Sequence, residues 1–343
     1  KTGRYFFIQN DLKCLTKDEE WYHSTSDNKF YIYGNPSDKS IKISCLNYLI
    51  YNNGYDYINI DGLNLSGAIV FGIYMPSGNT YCTVQNSTIS FIGESGIRCE
   101  NGTYHTYDNN IFNDINRASM YVTTSGYFKI INNTISDIGI LPGGSYRATQ
   151  NNGMFLSGFS NSLVQYNNIT KTGYNGIYIK GGNTEITNNF INYACILLDD
   201  GAAIYTSGKS LTGLVFSGNI ILNSGVSNSN ARLAEGIYLD EFSANITVKN
   251  NSIANCLFAG IKNHKGNNNN ITNNTCFNNG TGIFLQNSSS TANVINNLKI
   301  NGNIFVAKDN KQIALRFYSL ADDIPGFGNA DYNYYLRPVD DNN

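Results

Sequence analysis

The stretches VQNSTI (84–89), IINNTI (130–135), ITNNFI (186–191), VKNNSI (248–253) and ITNNTC (271–276) are copies of one pattern, an apolar residue, a pair of Asn or near-Asn residues, and a second apolar residue. Looser copies stand at 60–65, 106–111, 164–169, 215–220 and 300–304, about ten in all. The base spacing is 22 to 24 residues, widening to between 28 and 34 where insertions fall. A second element alternates with it: GIYMPSG (72–78), SGIRCE (95–100), NGMFLSG (152–158), NGIYIKGG (175–182), AAIYTSG (202–208), EGIYLDE (235–241), AGIKNHKG (259–266) and TGIFLQN (281–287). Both elements show the period of two that puts alternate side chains on opposite faces of a strand. Short β-branched strands with Gly or Asn at each corner predict an all-β solenoid of about ten rungs, each coil turning three times. Asn suits the corners because it tolerates left-handed backbone geometry, and stacked Asn amides can hydrogen-bond from rung to rung.

Composition agrees with that reading and excludes others. The chain has 343 residues with 55 Asn, 33 Gly, 25 Tyr and 18 Phe, against only 23 Lys and Arg and 25 Asp and Glu. Charged residues make up 14%, about half the usual share. The aromatic and apolar content excludes intrinsic disorder, and the net charge of -2 excludes a strongly basic nucleic-acid binder. No run of sequence is long and apolar enough to insert as a membrane helix. The seven Cys are scattered without a CxxC pair, so they read as small buried hydrophobes rather than a disulfide framework or zinc site.

Stacking the Gly-Ile strands in register sorts their side chains into columns. Ile73, Ile97, Met120, Met154, Ile177, Ile204, Ile237, Ile261 and Ile283 point inward, as do Met75, Cys99, Val122, Leu156, Ile179, Thr206, Leu239, Asn263 and Leu285. The first outward column is Tyr74, Arg98, Tyr121, Phe155, Tyr178, Tyr205, Tyr238, Lys262 and Phe284. With rungs about 4.8 Å apart, it predicts an exposed aromatic ladder suited to sugar faces or to supporting loops. The second outward column ends in Lys180, Ser207, Asp240, His264 and Gln286.

Insertions at 136–152, 192–202 and 221–235 fall at one corner and are expected to wall a cleft beside that ladder. They bring Arg147, Asp199, Asp200, Arg232 and Glu235 to the same place as Asp240 and Glu241. Five of the 25 carboxylates thus gather on two adjacent rungs. Two carboxylates across a sugar bond are what glycoside hydrolysis requires, one to protonate the leaving oxygen and one ionised as nucleophile or base. Asp200 or Asp199 with Asp240, and Glu235 as a competitor, are the candidate catalytic residues. His264, one rung beyond Asp240, is a candidate to orient it, bind a sugar hydroxyl or stabilise charge. Tyr178, Tyr205, Tyr238, Lys180, Lys262, Arg147 and Arg232 are candidate substrate contacts, while His23 and His105 read as structural.

The rungs resemble the right-handed parallel β-helix of pectate-lyase-like and related carbohydrate-active proteins over roughly 51–316. GRYFFIQNDLKCL with EEWYHSTSDNKFYIYG resembles a β-rich N-terminal lead-in found before this helix in bacterial secreted glycan-degrading proteins, which implies a 1–50 segment belonging to a longer parent. GNADYNYYLRPVDDNN resembles the segment that leaves the helix, so 317–343 forms a C-terminal exit segment. LDDGAAIYTSG, GIYLDE and NHKG resemble the D-x-GAIYT, GIYLDD and HxG series of bacterial β-helix glycoside hydrolases. That resemblance implies catalytic roles for Asp199 or Asp200 and for Asp240, a supporting role for Glu241, a poly- or oligosaccharide substrate, no cofactor, and a secreted, periplasmic or cell-surface location. A polysaccharide lyase or epimerase is the alternative enzyme, with Asp199, Asp200 and Asp240 caging Ca2+ and Lys180, Arg232 or Lys262 as base. A noncatalytic glycan-binding or adhesive β-helix is the alternative outside enzymes.

Overall fold

A computed structural model describes residues 8–18, 20–143, 151–209, 212–225 and 233–337. The chain divides into two compact units, Lys1–Ser44 and Cys45–Asn343. In the first, Trp21–Ser24 and Lys29–Ile32 form an antiparallel hairpin, with His23 stacked on Phe30 and bonded through Nε2 to Asn28.

The second unit is a three-faced coil. Each turn supplies a short strand such as Thr83–Gln85, a second such as Thr88–Ile92 and a third such as Ser95–Glu100. Each strand pairs in parallel with its counterpart one turn away. The first kind builds an 11-stranded sheet, and the other two share a 21-stranded sheet because Asn64–Met75 runs through the corner between them. This is a right-handed parallel β-helix. Its stacked strands run from Leu46–Tyr51 to Tyr334–Leu336, so they include residues on both sides of the 51–316 span.

Periodicity accounts for the core. Register pairs Ile97 with Met120, Met154 with Ile177 and Ile204 with Ile237, and both inward columns are buried over their whole length. A fully buried Ile or Met contributes about 1.5–3 kcal/mol, so the stacked columns are the main source of cohesion. Cys82, Cys99, Cys195, Cys256 and Cys276 pack among them as free thiols.

The Asn pairs divide their labour. The first of each pair takes a positive φ at the corner, as at Asn86, Asn109, Asn132, Asn188, Asn250 and Asn273. The second is buried and forms a ladder through Asn110, Asn133, Asn167, Asn189, Asn219, Asn251, Asn274 and Asn303. In the middle of it, the backbone N–H and Nδ2 of Asn219 both donate to Asn251 Oδ1 at 2.9 Å, while its own Oδ1 accepts the same pair from Asn189. The other corner carries Tyr57, Tyr81, Tyr104 and Tyr127 on four successive rungs, exposed and at positive φ. Their rings stack 4.7–5.1 Å apart and nearly parallel.

Candidate functional site

The outward columns fall in the expected register, but their exposure differs from the expectation. Tyr121, Phe155, Tyr178 and Tyr205 are half-buried, and their centroids lie 4.4, 4.6 and 5.6 Å apart with planes within 21° of parallel. The ring faces therefore cover one another, and what reaches the surface is edges and hydroxyls. Arg98 and Arg117 lie over the Tyr121 ring at 4.0 and 4.1 Å. Further along, Tyr238, Lys262 and Phe284 are buried, with Tyr238 set edge-on to Tyr205.

Lys262 is buried because it serves Glu235. Its Nζ lies 3.1 Å from Glu235 Oε1 and 4.1 Å from the centre of the Tyr238 ring. Glu235 itself is wholly buried, and its register neighbours are Ala202 and Ala259. Burial is the largest influence on Glu235 and pushes its pKa up to about 7; Lys262 opposes that, and Asp200 and Asp240 add to it. Glu235, the competing candidate carboxylate, and Lys262, a candidate substrate contact or base, are thus paired with each other beneath the surface rather than set on the outer face as expected.

Asp240 ends the strand Ala234–Asp240 and stays half-buried. His264 Nδ1 lies 2.7 Å from its Oδ1, and the Tyr205 hydroxyl donates to its Oδ2 at 2.7 Å. Burial pushes the Asp240 carboxyl up, yet the hydrogen bonds of His264, Tyr205 and Tyr238 outweigh it and hold the group below the ordinary carboxylate range. Asp240 is an ionised acceptor. The far nitrogen of His264, Nε2, lies 2.7 Å from Ser288 Oγ.

Asp200 is exposed at the corner before the strand Gly201–Ser207, with φ 59°. Its N–H donates to the Leu233 carbonyl at 2.6 Å, and its carbonyl accepts from the Tyr174 hydroxyl at 2.7 Å. The following Gly201 is required there, because a Cβ would sit 2.4 Å from the Tyr174 ring. The charges of Asp200 and Asp240 both act on Tyr174, Glu235 and Tyr238; in each of these, burial is the larger cause of the raised pKa. The two carboxylates therefore share one electrostatic neighbourhood, whereas Asp199, also exposed, acts on the buried Cys195.

Glu241 is exposed, 3.1 Å from Lys265 and 4.0 Å from His264 Nδ1. Donor atoms of Asp240, Glu241 and His264 lie within 4.8 Å of one another, but His264 Nδ1 already serves Asp240, and a nitrogen donor suits Ca2+ poorly. Lys180 is exposed, with its Cε beside Gly208. Arg147 and Arg232 lie outside the described residues. His105 is buried, accepts the Cys82 N–H, and is held neutral by burial, with a pKa of about 4. Ser288 and Tyr174 were not singled out by the sequence reading; Ser288 sits two residues past the outward column, on a turn that strand periodicity does not reach.

No curated protein matches the chain. Solved structures with a similar course include the Dettilon tailspike protein, at 16% identity over 79% of this chain and 60% of that one, with a TM-score of 0.48. PfbA, a surface adhesin of Streptococcus pneumoniae, gives 11%, 75%, 69% and 0.46, and an alginate lyase from Paenibacillus sp. gives 12%, 75%, 78% and 0.43, in the same order. The chain thus spans less than two thirds of the tailspike's length. Among the described residues no helix is long and apolar enough to cross a membrane. The sequence matches the family described as the right handed beta helix region over residues 71–233 and 200–319, and with three faces of parallel strands stacked turn on turn, the chain belongs to that family.

Proposed function

We propose that the chain acts on carbohydrate outside the cell, and more finely that it is a glycoside hydrolase in which Asp240 is the ionised carboxylate and Asp200 the proton donor. The observation that carries this reading is the treatment of Asp240: a half-buried carboxylate held ionised by one imidazole and two phenols, in the same neighbourhood as a second, exposed carboxylate. A structural carboxylate needs no such donor set facing an outer column of aromatic edges. Asp200 protonates the leaving oxygen, while Asp240 attacks the anomeric carbon or takes a proton from water. Tyr178 and Tyr205 offer edges and hydroxyls to the sugar, and Lys180 is a contact at the border of the site.

Lyase chemistry has less support, because Lys262, one of its candidate bases, is enclosed with Glu235. A purely adhesive role would leave the desolvated, ionised Asp240 without a purpose. Asp240→Asn and Asp200→Asn are each expected to cut release of reducing sugar from a responsive glycan about 100-fold or more, with circular dichroism unchanged. A panel of plant, algal and host glycans finds the substrate, and full activity in both variants rejects the reading.

A further inference from the structure

We propose that Ser288, His264 and Asp240 form a serine-nucleophile relay, and that the chain also cleaves small acyl esters carried on a hydroxyl, O-acetylated sugars above all. The acyl chemistry stands on this geometry alone; only the sugar part of the substrate rests on the carbohydrate reading.

The three residues are spaced by 24 and again by 24, one rung each, so the solenoid repeat brings them to one corner. Both contacts are 2.7 Å: Asp240 Oδ1 to His264 Nδ1, and His264 Nε2 to Ser288 Oγ. The tautomer follows from the acceptor. Ionised Asp240 can only accept, so Nδ1 carries a hydrogen, and the tautomer with its one hydrogen on Nδ1 presents a lone pair at Nε2. In that tautomer Ser288 Oγ–H donates to Nε2, as a nucleophile does to its base.

The turn bearing Ser288 is braced. Asn287, fully buried, accepts the Ser289 N–H at 3.0 Å and donates to the Thr291 carbonyl at 3.2 Å, while Asp323 accepts from the Asn287 amide and from the Asn293 N–H. Ser288 itself is half-buried and reachable. Among the described residues its N–H has no acceptor, which leaves that amide to meet a developing oxyanion.

In the first half-reaction Ser288 Oγ bonds to the acyl carbon and its proton passes to His264 Nε2, the imidazolium being stabilised by Asp240. Collapse breaks the ester C–O bond, and the leaving alcohol takes the proton from Nε2. Water repeats the sequence on the acyl-serine, releasing the carboxylic acid and restoring Ser288. Asp240 stays ionised throughout, the same state that the glycosidase reading requires of it.

The test uses the full chain with p-nitrophenyl acetate and a fluorophosphonate probe. The expected result is a fluorophosphonate adduct mapped by mass spectrometry to the Ser288 peptide, with p-nitrophenol release falling at least 100-fold in both Ser288→Ala and His264→Gln. A serine that merely holds the imidazole would form no adduct. Absence of an adduct on wild-type Ser288, or equal ester cleavage by wild type and Ser288→Ala, overturns the proposal. Glycan cleavage by the wild-type chain is scored separately: ester cleavage without it rejects the glycosidase and keeps the relay, and the converse rejects only the relay.

Discussion

Glu235 shows how one buried carboxyl can set a pH dependence for the whole molecule. Its folded pKa of about 7 lies above the ordinary glutamate value of 4.5, so between those values the unfolded chain has released the proton that the folded chain still holds. The stabilising effect is therefore full below about pH 4.5 and is lost as pH rises through about 7, a change of about 3 kcal/mol at 1.36 kcal/mol per unit. Glu235→Gln is expected to flatten this fall, and urea unfolding at a series of pH values between about 4.5 and 7 checks it. Asp240 and His264 were legible in the sequence because they share an outward column one rung apart. The burial of Glu235 was not, because it goes with an ion pair to Lys262, which period-two reasoning counts as a surface residue.

Among the elements, the corner of buried asparagines is the one most dependent on single side chains. Truncating Asn219 leaves the Asn189 N–H without its acceptor and removes one partner each from Asn189 Nδ2, Asn251 Oδ1 and the Ile186 carbonyl, all of them deep in the coil. Asn219→Ala is expected to destabilise by about 2 kcal/mol, since a buried N–H left unpaired costs about 1–3 kcal/mol. The shift in denaturation midpoint at unchanged slope measures it. The repeat and this ladder could be read from V/I-x-N-N-x-I, and both inward columns from the Gly-Ile strands, because a period fixes what stacks on what. What it left open was how the outward aromatics meet. Rings 4.4–4.6 Å apart turn their faces to each other, so a column that looks like a sugar platform presents edges instead.

Over the whole molecule, burial separates the seven cysteines into two populations. Cys82, Cys99, Cys195, Cys256 and Cys276 are enclosed in the coil, where burial pushes their thiols up, Cys99 and Cys256 to about 12. Cys45 is exposed and Cys14 half-exposed. A thiol reagent at pH 8 is expected to modify Cys14 and Cys45 in the native chain and all seven in denaturant, and peptide mapping identifies them. Fast native labelling of Cys195 or Cys256 would contradict a continuous core.

The aromatic residues are divided between the units just as unevenly. Trp21, the chain's one tryptophan, lies in the unit Lys1–Ser44, and the coil absorbs through phenol and phenyl rings alone. The two units therefore carry separate optical labels. Indole emission excited at the red edge reports the first, while the phenols of Tyr57, Tyr81, Tyr104 and Tyr127 are near enough to act as coupled chromophores whose dichroism records whether four turns of the coil remain in step.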